Sequence, residues 1–308
     1  MSLLDSEFTE AETRVGPIVV RRLAGFIGAE LEGVDASAPL SEETVATVRS
    51  ALLAHKVIFM RGQSLDYESL SAFAGQFGPL TPGHPIYQAP ADQPHVRVMD
   101  SRGDGTRANY WHTDLTFIEA PPAFAFLHNI VCPPVGGDTI WANTAAAYEA
   151  LPPELKALAN DMRVVHSNNS DYTEATYAHN PRARAEYISH TIEANHPAVR
   201  VHPETGEPSL LLGGFARSVA GHRPRAGRDV IGVLEDYATQ PEFTVRWKWQ
   251  AGDVAIWDNQ ATMHYAVLDY GTQHRSGIRV TVQGEAPLGL YGRKGFALSS
   301  PLDPAADA

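Results

Sequence analysis

The chain is short of cysteine, of basic charge and of long apolar runs, and each shortage excludes a class of protein. One of its 308 residues is cysteine, Cys132, so no internal disulfide and no cysteine-built metal site can form. No apolar run approaches the ~20 residues that a membrane-spanning helix needs. The first ten residues are acidic and lack the basic-then-apolar pattern of a secretory leader. No membrane partner and a cytoplasmic protein are therefore expected. Lysine and arginine number 24 against 36 aspartates and glutamates, a net charge of −12. That argues against a nucleic-acid partner, because a basic surface supplies most of such affinity. It also means that an anionic substrate must be drawn in by local cations against the mean field. Individual arginines in a pocket are then informative.

What remains is an ordinary globular composition, 44% hydrophobic and 19% charged, with no internal repeat and no long low-complexity linker. Helical periodicity covers 42–55, with Ser41 placed to cap it, and recurs at 67–77 and 228–239. Short strand-like runs, bounded by Gly, Pro or Asn, fall at 18–23, 57–60, 123–127, 139–142, 163–166, 198–201, 210–212, 243–249, 254–257 and 278–283. A polar, helix-leaning insert occupies 168–196. Loose tails are expected at 1–14 and 294–308, leaving one domain over 15–293. Many short strands with irregular connections suit a mainly β, α+β fold, a double-stranded β-helix or jelly-roll barrel surrounded by helices. A parallel α/β sheet would need regular crossover helices between the late strands.

The segment Trp111-His112-Thr113-Asp114 carries the chemistry. An imidazole and a carboxylate two residues apart share one face of an extended strand. With one distant histidine they complete a two-His-one-carboxylate facial triad, which holds non-haem Fe(II) and leaves the opposite face open. Trp257-Asp258-Asn259 leads to the candidate third ligand, His264. Taken alone, His-x-Asp is a weak signal. His202-Pro203-Glu204 has similar spacing but lies in a turn, where polar side chains are usually solvated. A lone His264 would be read as a satisfied core histidine. What changes the balance is the company of Arg275 and Arg279, eleven and fifteen residues beyond His264. Four apart, they share a face on a strand, and a guanidinium can take a carboxylate bidentately.

These motifs, in this order, resemble the taurine dioxygenase (TauD/TfdA) family of Fe(II)/2-oxoglutarate-dependent dioxygenases. The match runs from about Val19 to Gly292. It includes Trp111-His112-Thr113-Asp114-Leu115-Thr116-Phe117, Gly136-Gly137-Asp138-Thr139-Ile140-Trp141, the Trp257–His264 segment and the arginine pair. Three further segments are most similar to the alkylsulfatase-like subgroup: 51–57, 141–148 and 200–206. The resemblance implies that His112, Asp114 and His264 bind Fe(II). It implies that Thr139 and Arg275 hold the distal carboxylate of 2-oxoglutarate, with Arg279 between that co-substrate and the substrate's anionic group. His84 and Tyr87 would line the substrate site. Asn109, one step from an asparagine of the taurine enzyme, joins them.

The implied activity is hydroxylation of a C–H bond using O2 and 2-oxoglutarate. The substrate would be a small organic anion, an alkyl sulfate or sulfonate. The products would be succinate, CO2, an aldehyde and sulfate or sulfite. A homo-oligomer, dimer or tetramer, is also implied. Ala108, the polar loop 167–170 and Ser276-Gly277 depart from the taurine enzyme and argue against taurine itself. A carboxylate substrate such as a phenoxyalkanoate or amino acid is the alternative within the class. Outside it stand a cupin-like metal hydrolase or isomerase and a non-catalytic anion-binding barrel.

Overall fold

The structure, a computed structural model, describes residues 10–86, 89–102 and 108–299. In chain order its elements are β1 (Glu12–Val15), β2 (Ile18–Arg22), β3 (Ala29–Glu32), α1 (Glu42–His55), β4 (Val57–Met60), α2 (Tyr67–Gly75), β5 (Arg97–Asp100), β6 (Phe124–Val131), β7 (Thr139–Asn143), α3 (Thr144–Ala150), α4 (Pro153–Asp161) and β8 (Arg163–Ser167). There follow α5 (Asp171–Thr176), α6 (Pro181–Tyr187), β9 (Glu193–Pro197), β10 (Val199–Val201), β11 (Pro208–Leu210), β12 (Ala216–Val219), α7 (Pro224–Ala238), a 3-10 turn (Pro241–Phe243), β13 (Thr244–Trp247), β14 (Val254–Asp258), β15 (Thr262–Ala266), β16 (Ser276–Val282), β17 (Leu288–Gly289) and β18 (Phe296–Ser299). The fold is mixed helix and sheet. Among the described residues no helix is long and apolar enough to cross a membrane.

The largest sheet runs β1-β2-β3-β4-β14-β6-β16-β5. Its central strands are near-continuous apolar runs because both faces are covered. Ile58 and Met60 of β4, Phe124 and Phe126 of β6, and Val254 and Ile256 of β14 face one way, onto the Leu52 side of α1 and Leu70 and Phe73 of α2. Their alternates face the other way: Val57 and Phe59, Ala125 and Leu127, Ala255 and Trp257. These pack on Trp141 of β7 and Val245 and Trp247 of β13, from the three-stranded sheet β13-β7-β15. Phe59 stacks on Trp247 at 4.1 Å between ring centroids. Period-two alternation thus splits each central strand between a helix-covered core and an inter-sheet core.

Local chemistry sets the helix ends. The Ser41 hydroxyl accepts from the Thr44 backbone N–H, as its position before Glu42 and Glu43 requires. Asp66 and Ser69 form a reciprocal capping box on α2. Expected boundaries shift where strand partners act. The loose segment expected through residue 14 is partly strand, since Glu12–Val15 pairs with β2. The loose tail expected from 294 contains β18, paired with β9. Arg163 holds it by donating to the Lys294 carbonyl and lying over Phe296. The insert over 168–196 supplies α5 and α6, but its end is β9, which β8 recruits as an antiparallel partner.

Candidate functional site

His264 lies on β15, delivered by the turn from β14. His112 pairs with it in a two-residue bridge: His112 N–H donates to His264 O at 3.0 Å and His264 N–H to His112 O at 2.8 Å. The strand expected to run through Asp114 does not form. Asn259, in the β14–β15 turn, competes for the backbone. Its side-chain oxygen accepts from Asp114 N–H at 2.9 Å, and its amide donates to the Asp114 and Pro122 carbonyls at 3.1 and 3.0 Å. Leu115 follows with φ of 54°. A turn, not a pleat, therefore brings the carboxylate back between the imidazoles. Asp114 Oδ1 is 4.0 Å from His112 Nε2, and Asp114 Oδ2 is 4.0 Å from His264 Nε2. One ligand atom from each lies within 4.8 Å of the others, and all three residues are buried.

The protonation states suit a cation. The His112 Nδ1–H donates to the Tyr110 carbonyl at 2.8 Å, which leaves the Nε2 lone pair for a ligand. Burial pushes both His112 and His264 below the ordinary imidazole range. Burial alone would raise Asp114, but Arg279, His264 and His112 together outweigh it and hold the carboxyl down at about 2. Arg279 donates to Asp114 Oδ1 at 2.7 Å. Asp114 Oδ2 and His264 Nδ1 are buried with no hydrogen-bond partner among the described residues. A carboxylate oxygen in that state costs free energy unless a cation completes it. Two neutral imidazoles and one carboxylate fit a divalent metal such as Fe(II).

His112 and Asp114 of the triad line a cavity of about 110 Å³. Arg275, immediately before β16, and Arg279 on it both line this cavity, as do His84 and Asn109. Tyr87 lies outside the described residues. Thr139 does not reach the cavity wall. Its hydroxyl accepts from Trp249 Nε1 at 2.9 Å, and the Arg275 guanidinium lies 5.9 Å from the Trp249 ring, so Thr139 stands one residue behind Arg275. Gly137 has φ of 74°, and a Cβ there would meet Arg275 Cδ at 3.3 Å, so the Gly136-Gly137 turn is a floor for that arginine.

His202 is not the solvated turn residue expected. It is 1% exposed, with Nε2 3.0 Å from Asp258 Oδ2 and Nδ1 accepting from Glu204 N–H at 3.1 Å. It braces the turn that delivers His264 and has no place in the cavity. Several lining residues carried no signal in the sequence. Tyr172, Tyr177 and Tyr187 come from the α5–α6 insert and Phe215 from the loop before β12. Tyr172 packs on His112, with ring centroids 4.8 Å apart. Arg97, on β5, could have been suspected only by pairing its strand with that of Arg279.

Glu235 on α7 supports the site from behind by accepting from Gly213 N–H at 2.9 Å. Gly213 has φ of 99°, and a Cβ there would lie 3.0 Å from His112 Cα. Burial, with Asp236 and Asp171 nearby, raises the Glu235 carboxyl to about 7. The folded state therefore holds its proton more tightly than the unfolded chain does. Its contribution to stability is lost as pH rises from about 4.5 to about 7 and changes little above. Glu235→Gln keeps the acceptor and removes the charge. It is expected to raise Tm over wild type by about 2–6 °C at pH 8 and by little at pH 4.5. A difference independent of pH, followed by circular dichroism, would show that the carboxyl is not held protonated.

Residues 20–281 match the family model described as taurine catabolism dioxygenase TauD, TfdA family. An alpha-ketoglutarate-dependent sulfate ester dioxygenase of Pseudomonas putida is 46% identical, over 89% of this chain and 92% of that protein. An alkylsulfatase of Acinetobacter baylyi is 44% identical, over 90% and 88%. The crystal structure of a taurine dioxygenase from Burkholderia xenovorans superposes with a TM-score of 0.80 at 38% identity, covering 94% of this chain and 97% of that one.

Proposed function

Because the chain belongs to the taurine catabolism dioxygenase TauD, TfdA family, whose members use Fe(II), 2-oxoglutarate and O2, we propose that its substrate is an alkyl sulfate. On this reading the carbon bearing the sulfate is hydroxylated, and the product collapses to an aldehyde and sulfate. His112, Asp114 and His264 hold Fe(II), Arg275 takes the distal carboxylate of 2-oxoglutarate with Thr139 behind it, and the substrate lies against His84, Tyr87 and Asn109. The observation that carries the reading is the buried two-imidazole, one-carboxylate cluster at one wall of a cavity that Arg275 and Arg279 also line. Two similar proteins, a sulfate ester dioxygenase and an alkylsulfatase, support the substrate class.

When bound, iron and 2-oxoglutarate would supply the oxidising power, and this chain's own residues orient and exclude. Arg279 fixes the Asp114 carboxylate through Oδ1, which leaves Oδ2 without a hydrogen-bond partner among the described residues and able to serve a metal. Tyr110 O fixes the His112 ring through Nδ1. Tyr172, Phe215 and Leu115 give the cavity an apolar wall for an alkyl chain and keep water from the reacting carbon. The family match supports reading 15–293 as one domain. The two sheets sharing the Phe59–Trp141–Trp257 core support a double-stranded β-helix. A homo-oligomer and a cytoplasmic location belong to the same proposal.

The test is stoichiometric. Anaerobic Fe(II) plus 2-oxoglutarate should give a visible charge-transfer band. On admitting O2, a medium-chain alkyl sulfate should yield equal amounts of succinate, aldehyde and sulfate. Succinate formation that no alkyl sulfate stimulates, but a phenoxyalkanoate or amino acid does, would move the substrate to the carboxylates. Absence of the band would remove the dioxygenase assignment of the site.

A further inference from the structure

We propose that Arg97 is the second cation of the substrate's anion site, and that it selects a tetrahedral three-oxygen head, a sulfate ester, over a planar carboxylate. The proposal rests on the anionic-substrate reading above. Arg97 opens β5 and is the cross-strand partner of Arg279 in β16. Directly opposite residues share a face with Cβ atoms ~4.5–5.5 Å apart, and like charges there are destabilising. A chain with net charge −12 nevertheless places two guanidiniums opposite each other at a cavity. The side chains lining that cavity carry three guanidinium charges, Arg97, Arg275 and Arg279, against one carboxylate, Asp114. The described lining of the cavity is thus predominantly cationic.

The donors also converge. Arg97, Arg279 and His84 line the main cavity and a second recess of about 20 Å³ beside it, with Thr81 and Thr281. That recess has room for roughly one oxygen-sized group. His84 Nδ1 accepts from Ile86 N–H at 3.1 Å, so the neutral ring carries its proton on Nε2 and donates from there. Burial first, then the charges of Arg97 and Arg279, keep it neutral. Two strands and one loop thus present donors from three directions. A sulfate ester has three terminal oxygens to meet them, whereas a carboxylate has two in one plane and is satisfied by a single fork. Arg279 is tied to Asp114, so replacing it would disturb the metal site. Arg97 is the residue at which head-group recognition can be changed separately.

The experiment compares Arg97→Gln and Arg97→Lys with wild type on an alkyl sulfate and an alkanoate of equal chain length. Steady-state O2 uptake gives KM and kcat. Calorimetric binding of the alkyl sulfate to anaerobic protein loaded with Fe(II) and 2-oxoglutarate gives affinity without turnover. Arg97→Gln should weaken alkyl sulfate binding and raise its KM roughly tenfold to hundredfold. The alkanoate should change less and the KM for 2-oxoglutarate should stay within about twofold. Lysine should recover part of the loss, since a point charge cannot reproduce the fork. Unchanged alkyl sulfate affinity in Arg97→Gln overturns the proposal, as does an equal loss for 2-oxoglutarate. Should the glutamine variant fail to fold, Arg97→Lys decides: the wild-type preference for sulfate over carboxylate, retained in full, overturns it. A wild-type protein that binds no alkyl sulfate defeats the substrate reading itself, a result seen before any variant is made.

Discussion

Replacing Asp114, His112 or His264 is expected to end turnover. Loss of a partner behind a metal ligand typically costs 10–100-fold, and loss of a ligand itself should exceed that. Three protein ligands are the minimum for this kind of site, with nothing in reserve. The variants are not equivalent in the folded protein. Asp114→Ala also strips Arg279 of its 2.7 Å partner, and a nearly buried guanidinium without a counter-charge is destabilising. Asp114→Asn keeps the shape and an acceptor for Arg279 while removing the charge that would bind iron, so it is the cleaner substitution. Fe(II) affinity, the anaerobic charge-transfer band and O2 uptake would be measured beside a thermal melt. A variant that keeps wild-type activity at limiting Fe(II) would show that its residue is not a ligand.

Arg275→Ala should raise the 2-oxoglutarate requirement by roughly a hundredfold and that of the substrate far less. Burial pushes the Arg275 guanidinium below its ordinary pKa range, and its Nε lacks a hydrogen-bond partner among the described residues. Held against Trp249 and the Gly137 turn, it is preorganised for a planar carboxylate. Lysine in its place should recover little. Titration of 2-oxoglutarate against the charge-transfer band reads the affinity directly. An unchanged value would transfer the distal carboxylate to another cation of the cavity, with Arg97 first in line.

The glycines, prolines and apolar alternation of this chain made much of the fold legible. Helix α1 begins and ends where Ser41 and the periodicity of 42–55 put it, because capping and amphipathicity are local properties. Strand β4 likewise matches its run of four apolar residues. The tails did not behave as expected: β1 closes a local hairpin on Ile18–Arg22, whereas β18 is held by Glu193–Pro197, far along the chain. The composition of β18 carries no trace of that pairing. The site shows the same division. His112, Asp114, His264, Arg275 and Arg279 were recognisable by type and spacing; the structure brings His112, Asp114, Arg275 and Arg279 to one cavity and sets His264 beside the first two.

By itself the sequence determined which donor types are present, their order, and a charge balance under which clustered arginines must have a purpose. Those are properties of composition and spacing. Only the tertiary structure decided how they meet. Asn259 breaks the strand at Asp114 and turns the carboxylate between two imidazoles. The β5–β16 ladder sets Arg97 opposite Arg279 across 182 positions of chain, and α5 and α6 fold tyrosines over the metal-binding wall. Each of these depends on which backbone groups find partners at long range. Hydrogen-bond pairing and packing set that choice, and no local pattern of side chains encodes it.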